Sequence, residues 1–308
     1  MEPEISVQIC SYNRSASLKK CLEALFRQDF PAENYEIVLV DDGSPDDTGE
    51  MVKNLNSPVE LNYLYQKNQG LATARNLGLH NVKGKYVLFV DDDIIAGPAL
   101  LKEHARIHRR YPKTVVRGRV HHVADLDRPL QPGFTMADIS TSFFWTSNVS
   151  VAREHLFQAG LFDTSYSEYG WEDLELGLRL RALGLVCRYN REALVFHLKP
   201  ELKKADVEKK IAQARAKARM AVKFLYQHPI LKVKMATGIH APRFIWDNLL
   251  RLGGVTENTC RKIMAGAPEG RLTGINRWAA GRLIDFAYFD TLRDTLKAYE
   301  NQHRSSDL

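Results

Sequence analysis

The sequence predicts an α/β protein built on a parallel sheet that is buried on both faces and followed by a helical extension. Short apolar runs of strand-forming residues alternate with helical runs from the start of the chain. These strand-like runs are almost continuously apolar, which is typical of parallel strands covered on both faces. After residue 200, Ala, Lys, Arg and Leu dominate at helical spacing. We therefore expect an α/β domain over residues 1–200 and a basic helical extension over residues 201–308.

The elements of the α/β domain follow in order along the chain. The first half alternates strands and helices in the segments ISVQICSY, SLKKCLEALFRQ, YEIVLVDD, a short helix, LNYLYQ, LATARNLGLHNV and YVLFVDDD. A helix is expected from Gly97 to Pro112, then the strand TVVRGRV, and then a long loop over residues 121–142. The last elements are a strand and short helix in SNVSVAREHLFQAG, a helix in WEDLELGLRLRALG that Gly184 ends, and a strand in VCRYNREALVFHL. Because ligands bind beyond the carboxyl ends of parallel strands, CSYNRS, VDDGSPDD and VDDDI should line one site.

The composition excludes several classes of protein. With 308 residues, 44% hydrophobic and 26% charged, the chain has a globular balance. No apolar run approaches the roughly 18–20 residues that span a bilayer, and MEPEISVQIC lacks the pattern of a signal peptide, so a cytoplasmic location is expected. The four cysteines form no CxxC pair, which argues against a zinc knuckle and against a disulfide framework.

The charge is distributed unevenly. Residues 1–198 carry 22 Lys and Arg against 26 Asp and Glu, whereas residues 199–308 carry 21 against 11, a net charge of +10. The basic part could meet a membrane surface or nucleic acid, and solvated helix faces are an equal alternative. Our hypothesis is a peripheral contact with the inner face of a membrane, and packing as a helical cap or a dimer contact is an equal alternative for the same residues. The residues expected near that contact are Arg243, Phe244, Trp246 and Arg251.

Three consecutive aspartates, Asp91, Asp92 and Asp93, follow the apolar segment YVLFV. A solvated turn would explain one aspartate, but three adjacent carboxylates repel one another unless a cation or donor groups lie among them. The run therefore favours a metal site. His197, at the end of the apolar segment ALVFHL, is either a half-buried histidine or a further metal ligand.

Two other segments could bind a nucleotide. Asp41 and Asp42 in VDDGSPDDT could accept hydrogen bonds from a nucleobase or ribose, although both are also favoured turn residues. Arg75 lies one turn into a helix that Gly70 opens, and a helix N-terminus with an arginine can bind a diphosphate.

The segment GWEDLELGLRL places Glu172 and Asp173 at the start of a helix. Acidic residues at this position complement the helix dipole, which is expected to keep Asp173 ionised. Trp171 precedes them, and an aromatic face beside two carboxylates suits a sugar ring and its hydroxyl groups.

Taken together, five segments resemble the family 2 glycosyltransferases with the GT-A fold. SVQICSYNR, IVLVDDGSPDDT, NQGLATARNLG, YVLFVDDD and YGWEDLELGLRL occur in the order and approximate spacing of that family. The segment GLFDTSYSEYGWEDLELGLRLRALG is similar to the C-terminal half of galactosyltransferase-like catalytic domains. The resemblance covers roughly residues 4–198 and assigns nothing to the helical extension.

The resemblance implies a role for each matching residue. Nucleotide-sugar binding is implied for Ser11, Tyr12, Arg14, Asp41, Asp42, Arg75, Asp91 and Asp92. The three aspartates are the DxD motif, and the implied ligands of Mn²⁺ or Mg²⁺ are Asp93, Asp91 and His197. Asp173 would be the catalytic base, with Glu172 as an alternative base or acceptor contact beside the acceptor-binding Trp171.

The implied function is that of an inverting, metal-dependent glycosyltransferase. It would move a sugar from a nucleotide-diphospho-sugar, with a UDP-sugar expected, to a hydroxyl of a glycan or lipid-linked acceptor, as in polysaccharide biosynthesis. A nucleotidyltransferase of similar fold is one alternative, but it should carry a Gly-rich basic loop after the first strand, and CSYNRSAS has no glycine. A non-catalytic anion- or nucleic-acid-binding protein is another, but it gives no reason for GWED and DDD to occur in one chain. Nucleic acid is therefore not an expected partner.

Overall fold

The computed structural model describes residues 2–127 and 142–304, and the chain divides into two compact units. The first unit comprises the residues up to Ser167 together with Glu172–Pro200. The second comprises Glu168–Trp171 and the residues from Glu201 onward. Most of the long loop expected over residues 121–142 lies outside the described residues.

The first unit contains eight strands and six α-helices among its described residues. The strands are β1 (Ile5–Ser11), β2 (Tyr35–Asp41), β3 (Glu60–Tyr65), β4 (Tyr86–Val90), β5 (Ile94–Ala96), β6 (Thr114–Val123), β7 (Asn148–Ala152) and β8 (Val186–Leu198). The helices are α1 (Ser15–Leu25), α2 (Thr48–Lys53), α3 (Leu71–Asn81), α4 (Leu100–Arg110), α5 (Arg153–Gln158) and α6 (Glu172–Ala182).

The strands form one mixed sheet in the order β3-β2-β1-β4-β7-β6-β8-β5. Strands β1 to β4 run parallel to one another, but β7 is antiparallel to both β4 and β6, and β5 is antiparallel to β8. The predicted α/β class is confirmed, and the predicted parallel pairing holds for β1 to β4 and for β6 with β8, but the sheet as a whole is mixed. A continuous apolar run shows that a strand is covered on both faces, and it does not show the direction of the strand.

Both faces of the sheet are covered by hydrophobic clusters. In β4, Tyr86, Leu88 and Val90 pack in one cluster, while Val87 and Phe89 pack in the other, as the two-residue period of a strand requires. All five residues are buried. The strand therefore holds the aspartates that follow it at a fixed edge of the sheet.

The sequence does not predict the short strand β5, which follows the three aspartates. β5 pairs with β8, with Ile94 opposite His197, and the amide of Gly97 continues the pairing by donating to the carbonyl of Leu194 at 2.9 Å. For this reason α4 begins at Leu100 and not at Gly97, as the sequence predicts.

The second unit is helical, as expected for the C-terminal extension. Its helices are α7 (Val207–Gln227), α8 (Leu231–Thr237), α9 (Ala241–Leu252), α10 (Glu257–Ala265) and α11 (Gly274–Arg304). Helices α7 and α11 share two clusters of buried side chains, one with Ile211 and Phe286 and the other with Val222 and Phe289. No helix in the described part of the chain is both long enough and apolar enough to cross a bilayer.

Candidate active site

Hydroxyl groups from neighbouring strands hold the aspartates that follow β4. Ser11, the last residue of β1, donates a hydrogen bond from Oγ to Asp92 Oδ2 at 2.7 Å. Ser147 immediately precedes β7, whose antiparallel pairing with β4 brings it beside Asp91, and its Oγ donates to Asp91 Oδ2. Two of the three carboxylates thus receive hydrogen bonds from hydroxyl groups in distant parts of the chain.

His197 lies between the first and third aspartates. The pairing of β5 with β8 brings it there, and its Nε2 lies 3.2 Å from Asp91 Oδ2 and 3.2 Å from Asp93 Oδ1. One ligand atom from each of the three residues lies within 4.8 Å of the others. The structure therefore brings together all three residues that the sequence suggests as metal ligands.

The protonation of this cluster follows from its charges. Burial alone would lower the pKa of His197, but the carboxylates of Asp91 and Asp93 raise it to about 10. Burial would raise the pKa of Asp91, but the hydrogen bonds from His197 and Ser147 lower it overall. The histidine is held as an imidazolium between two carboxylates, and a bound divalent ion would displace its proton.

The donor set fits a divalent metal ion. Two carboxylate oxygens and one imidazole nitrogen are ligands that Mn²⁺ accepts, and oxygen ligands also suit Mg²⁺. Asp93 Oδ1 is buried, and the polar group beside it is His197 Nε2 at 3.2 Å, so a cation bound by both residues would take the place of the proton between them.

Arg14 supplies a second positive charge to the three aspartates. Its guanidinium nitrogen Nη1 lies 3.0 Å from Asp92 Oδ1 and 2.6 Å from Asp93 Oδ2. Burial still raises the pKa of Asp92 to about 6, although Arg14 opposes this change. His197, Arg14 and the two serine hydroxyls together explain why three adjacent aspartates are tolerated here.

Arg75 and Glu172 form a buried ion pair. Arg75 Nη1 donates to Glu172 Oε1 at 2.7 Å, and Nη2 donates to Thr146 Oγ1 at 2.6 Å. The guanidinium carbon also lies 5.1 Å from the centre of the Phe162 ring. The sequence suggests that Arg75 contacts the nucleotide and that Glu172 contacts the acceptor. The structure pairs these two side chains with each other, and both ligand contacts stay predictions.

Asp173, the second residue of α6, has no comparable positive partner. Burial raises its pKa, the charge of Glu172 raises it further, and Arg75 offsets only part of this rise, so the pKa is about 7. The helix dipole, which was expected to keep Asp173 ionised, is therefore outweighed by burial. A carboxylate with a pKa near neutrality is well suited to accept a proton.

A small cavity lies between Asp91 of the metal cluster and Arg75, the ion-pair partner of Glu172. Arg75 and Asp91 both line it, together with Cys10 and Thr146. Thr146 and Ser147 are not among the residues that the sequence suggests for the site, although the polar run TSN at the start of an apolar strand is a signal for them.

Asp41 and Asp42 are buried at the end of β2 and hold the neighbouring loops. The donors to Asp41 are the amide of Ser44 and the hydroxyl of Tyr63. The donors to Asp42 are the side chain of Gln66 and the amides of Gln69 and Gly70. Gly70 has φ of +89°, a conformation that favours glycine. Binding of a nucleobase by either aspartate stays a prediction.

The two aromatic residues suggested for ligand binding differ in exposure. Tyr12, just after β1, is exposed. Trp171 is buried in the helical unit, where its indole N–H donates to the carbonyl of Lys217 at 2.9 Å and its ring stacks on Phe224 at 5.9 Å. Its φ of +80° is rare for a bulky residue, and such strain often marks a functional segment. Acceptor binding by Trp171 stays a prediction.

Comparison with known proteins identifies relatives of this chain. Residues 6–157 match the family model described as glycosyl transferase family 2. The validoxylamine A glucosyltransferase of Streptomyces hygroscopicus subsp. jinggangensis is 30% identical over 229 residues, which cover 62% of this chain and 54% of that protein. The chondroitin synthase of Escherichia coli is 26% identical over 248 residues, which cover 67% of this chain and 36% of the synthase. The chain thus spans about half the length of the first relative and less of the second.

Solved structures share the fold over nearly the whole chain. The mannosyltransferase PcManGT from Pyrobaculum calidifontis, in complex with GDP-Man and Mn²⁺, has a TM-score of 0.61 at 16% identity and covers 96% of this chain and 88% of that chain. TarS 1–349 of S. aureus in complex with UDP-GlcNAc has a TM-score of 0.55 at 18% identity and covers 96% and 92%. At these identities the likeness shows the fold alone, and the predicted GT-A fold with a helical C-terminal region is confirmed.

Proposed function

The chain belongs to glycosyl transferase family 2, and we propose that it transfers a sugar from a nucleotide-diphospho-sugar to a hydroxyl group of an acceptor. One observation carries the proposal: Asp91, which forms a cluster with Asp93 and His197, lines the same cavity as Arg75, whose partner Glu172 adjoins Asp173. A divalent cation site and a carboxylate that can accept a proton therefore lie in one region. Transfer to a hydroxyl group uses both.

The proposed donor is a UDP-sugar, and the proposed metal is Mn²⁺ or Mg²⁺. Two proteins of the same fold were solved with UDP-GlcNAc and with GDP-Man and Mn²⁺, which supports a nucleotide-sugar donor and a metal in this chain. Asp91, Asp93 and His197 would hold the metal. When bound, it would stabilise the negative charge of the departing nucleoside diphosphate.

The proposed stereochemistry is inversion. Asp173 takes the proton of the acceptor hydroxyl while the oxygen attacks the anomeric carbon from the face opposite the leaving diphosphate. A single carboxylate is sufficient for this step, and the ion pair with Arg75 holds the neighbouring Glu172 in place. Arg14 neutralises Asp92 and Asp93 and lies within reach of donor phosphates at the same edge.

The acceptor is proposed to be a glycan or a lipid-linked glycoconjugate. The basic C-terminal residues would bring the protein to the inner face of a membrane, where a lipid-linked acceptor is found. A cytoplasmic location remains part of this proposal.

A thermal-shift screen of nucleotide-sugars tests the proposed function, because a ligand that binds the folded state raises the melting temperature. We expect a UDP-sugar to raise it in Mn²⁺ and to have little effect in EDTA. The anomeric configuration of the product, determined by NMR, then tests inversion. If no nucleotide-sugar stabilises the protein and it binds RNA in a salt-sensitive manner without metal, the non-catalytic alternative is correct.

A further inference from the structure

Helix α9 exposes its apolar side chains and buries its acidic one. The exposed fractions are 57% for Ile245, 54% for Trp246, 55% for Leu249 and 84% for Leu252, whereas that of Asp247 is 2%. The spacing of the four apolar residues places them on one side of the helix. A helix that faces water on its outer side has the opposite arrangement.

The inner side of α9 is fixed by ion pairs. Asp247 Oδ2 lies 3.0 Å from Arg251 Nε and 2.7 Å from a guanidinium nitrogen of Arg293 on α11. Phe244 packs edge-on against Phe289 with ring centres 6.0 Å apart. Turning the helix to bury its apolar side would leave Asp247 buried without its partners, which is costly.

These contacts remove three residues from the membrane contact that the sequence suggests. Of the residues expected at a membrane contact, Arg243, Phe244 and Arg251 pack within the helical unit, since Arg243 lies over the Phe289 ring and Arg251 pairs with Asp247. Trp246 is the member of that group that is exposed.

The outer side of α9 carries no charge. Its other exposed residues are Ala241, Pro242 and Asn248. An exposed, uncharged and mostly apolar surface of this kind commonly marks a site of protein or membrane interaction.

The charge around this surface distinguishes between those partners. Residues 209–256 contain ten Lys and Arg and a single acidic residue, the buried Asp247. In the neighbouring helix α8, Lys232 and Lys234 are exposed beside Leu231. Positive charge beside an apolar surface is the combination that binds anionic lipid headgroups and the acyl chains below them.

We propose that the outer side of α9 enters the interface of an anionic lipid bilayer, while the exposed Lys232 and Lys234 of α8 meet the lipid phosphates. A second copy of this chain fits the surface less well, because like charges would oppose each other across the contact. The inference deepens the proposed function by bringing the enzyme to a lipid-linked acceptor, but it depends on none of the catalytic residues.

Two matched variants test the surface. Ile245→Glu and Ile275→Glu make the same change in the same unit, at residues that are 57% and 64% exposed on different helices. In vesicle flotation, we expect the parent protein to bind phosphatidylcholine vesicles that contain phosphatidylglycerol, less at high salt, and to bind pure phosphatidylcholine weakly. Ile245→Glu should weaken this binding by about 10-fold or more, because it adds a negative charge where apolar contact is needed. Ile275→Glu should stay within about twofold of the parent, a change no larger than that of one peripheral charge.

Fluorescence gives a second measurement. Brominated lipids should quench the tryptophan fluorescence of the parent and of Trp278→Phe, whereas Trp246→Phe should lose most of the quenching. The proposal is overturned if the parent does not bind anionic vesicles, or if both isoleucine variants bind equally. It is also overturned if the parent forms a dimer, does not bind vesicles, and becomes a monomer on the change Ile245→Glu. Stabilisation of Ile245→Glu by a UDP-sugar and Mn²⁺ should equal that of the parent, so the donor site is tested independently of the membrane surface.

Discussion

The two acidic clusters of the candidate site are buried apart from the half-buried Asp91, but they differ in their positive partners. The aspartates after β4 meet His197 and Arg14, and the pKa of Asp91 is lowered. The acidic pair of α6 meets Arg75, which pairs with Glu172, and the pKa of Asp173 is raised. Cationic partners therefore offset burial to different degrees: His197 helps to lower the pKa of Asp91, whereas burial outweighs Arg14 at Asp92 and Arg75 at Asp173.

The largest expected effect comes from removing the partner of Glu172. Arg75→Met leaves a buried carboxylate without its counter-charge and should lower the free energy of unfolding by about 3–5 kcal/mol, measured by denaturant titration. Glu172→Met in the same chain should restore most of this loss, because the unpaired charge is then gone. If Arg75→Met alone is as stable as the parent, the ion pair contributes nothing to the free energy of unfolding. The contrast between the two clusters then has another cause.

The next effect concerns the proton acceptor. Asp173→Asn keeps the shape of the side chain and removes its basicity, so turnover should fall by roughly 100-fold or more while UDP-sugar binding is retained. Glu172→Gln, the matched control on the adjacent residue, should reduce turnover less. If Glu172→Gln abolishes turnover and Asp173→Asn does not, the base is Glu172.

Loss of a ligand from the metal cluster should weaken UDP binding as well as turnover. Asp93→Ala or His197→Ala should weaken Mn²⁺-dependent UDP binding by at least about 10-fold, the order expected when a ligand is lost. His122→Ala is a suitable control, because its ring centre lies 5.4 Å from that of His197 and it is not part of the ligand cluster. Equal metal dependence in His197→Ala and the parent would remove this histidine from the site.

The pH dependence of turnover should reveal the coupling between Glu172 and Asp173. Turnover should rise with pH as Asp173 loses its proton. The charge of Glu172 raises the pKa of Asp173, so Glu172→Gln should move the midpoint of the rise to lower pH by about one unit. A midpoint that stays in place would show that the two carboxyl groups titrate independently.

The smallest expected effect is on the melting temperature of Asp173→Asn and its dependence on pH. The pKa of Asp173 rises from 3.8 to about 7 in the folded protein, so its contribution is fully present below the lower value and is lost as pH rises through the upper one. Asp173→Asn should therefore melt a few degrees above the parent at about pH 8, with the difference disappearing near about pH 4. A difference that does not change with pH would contradict the burial of a carboxyl group that is protonated in the folded state.

The sequence by itself determined the features that depend on neighbouring residues. The apolar period of YVLFV predicted β4 and the aspartates at its end, and the acidic start of α6 was visible in GWEDLELGLRL. Five such segments in order were sufficient to predict the family and the GT-A fold. Roles for individual residues could be suggested in this way, but not their partners.

Tertiary structure decided which of these residues meet. His197 is 106 residues from Asp91, and Arg75 is 97 residues from Glu172. The first contact depends on the pairing of the unpredicted strand β5 with β8, and the second on the packing of α3 and α6 around the sheet. Likewise, the side of α9 that faces outward follows from the ion pairs of Asp247. The local period of apolar residues indicates whether a residue is buried. Strand direction, register and ion-pair partners depend on the packing of the whole chain, and these three features determined the chemistry of the site.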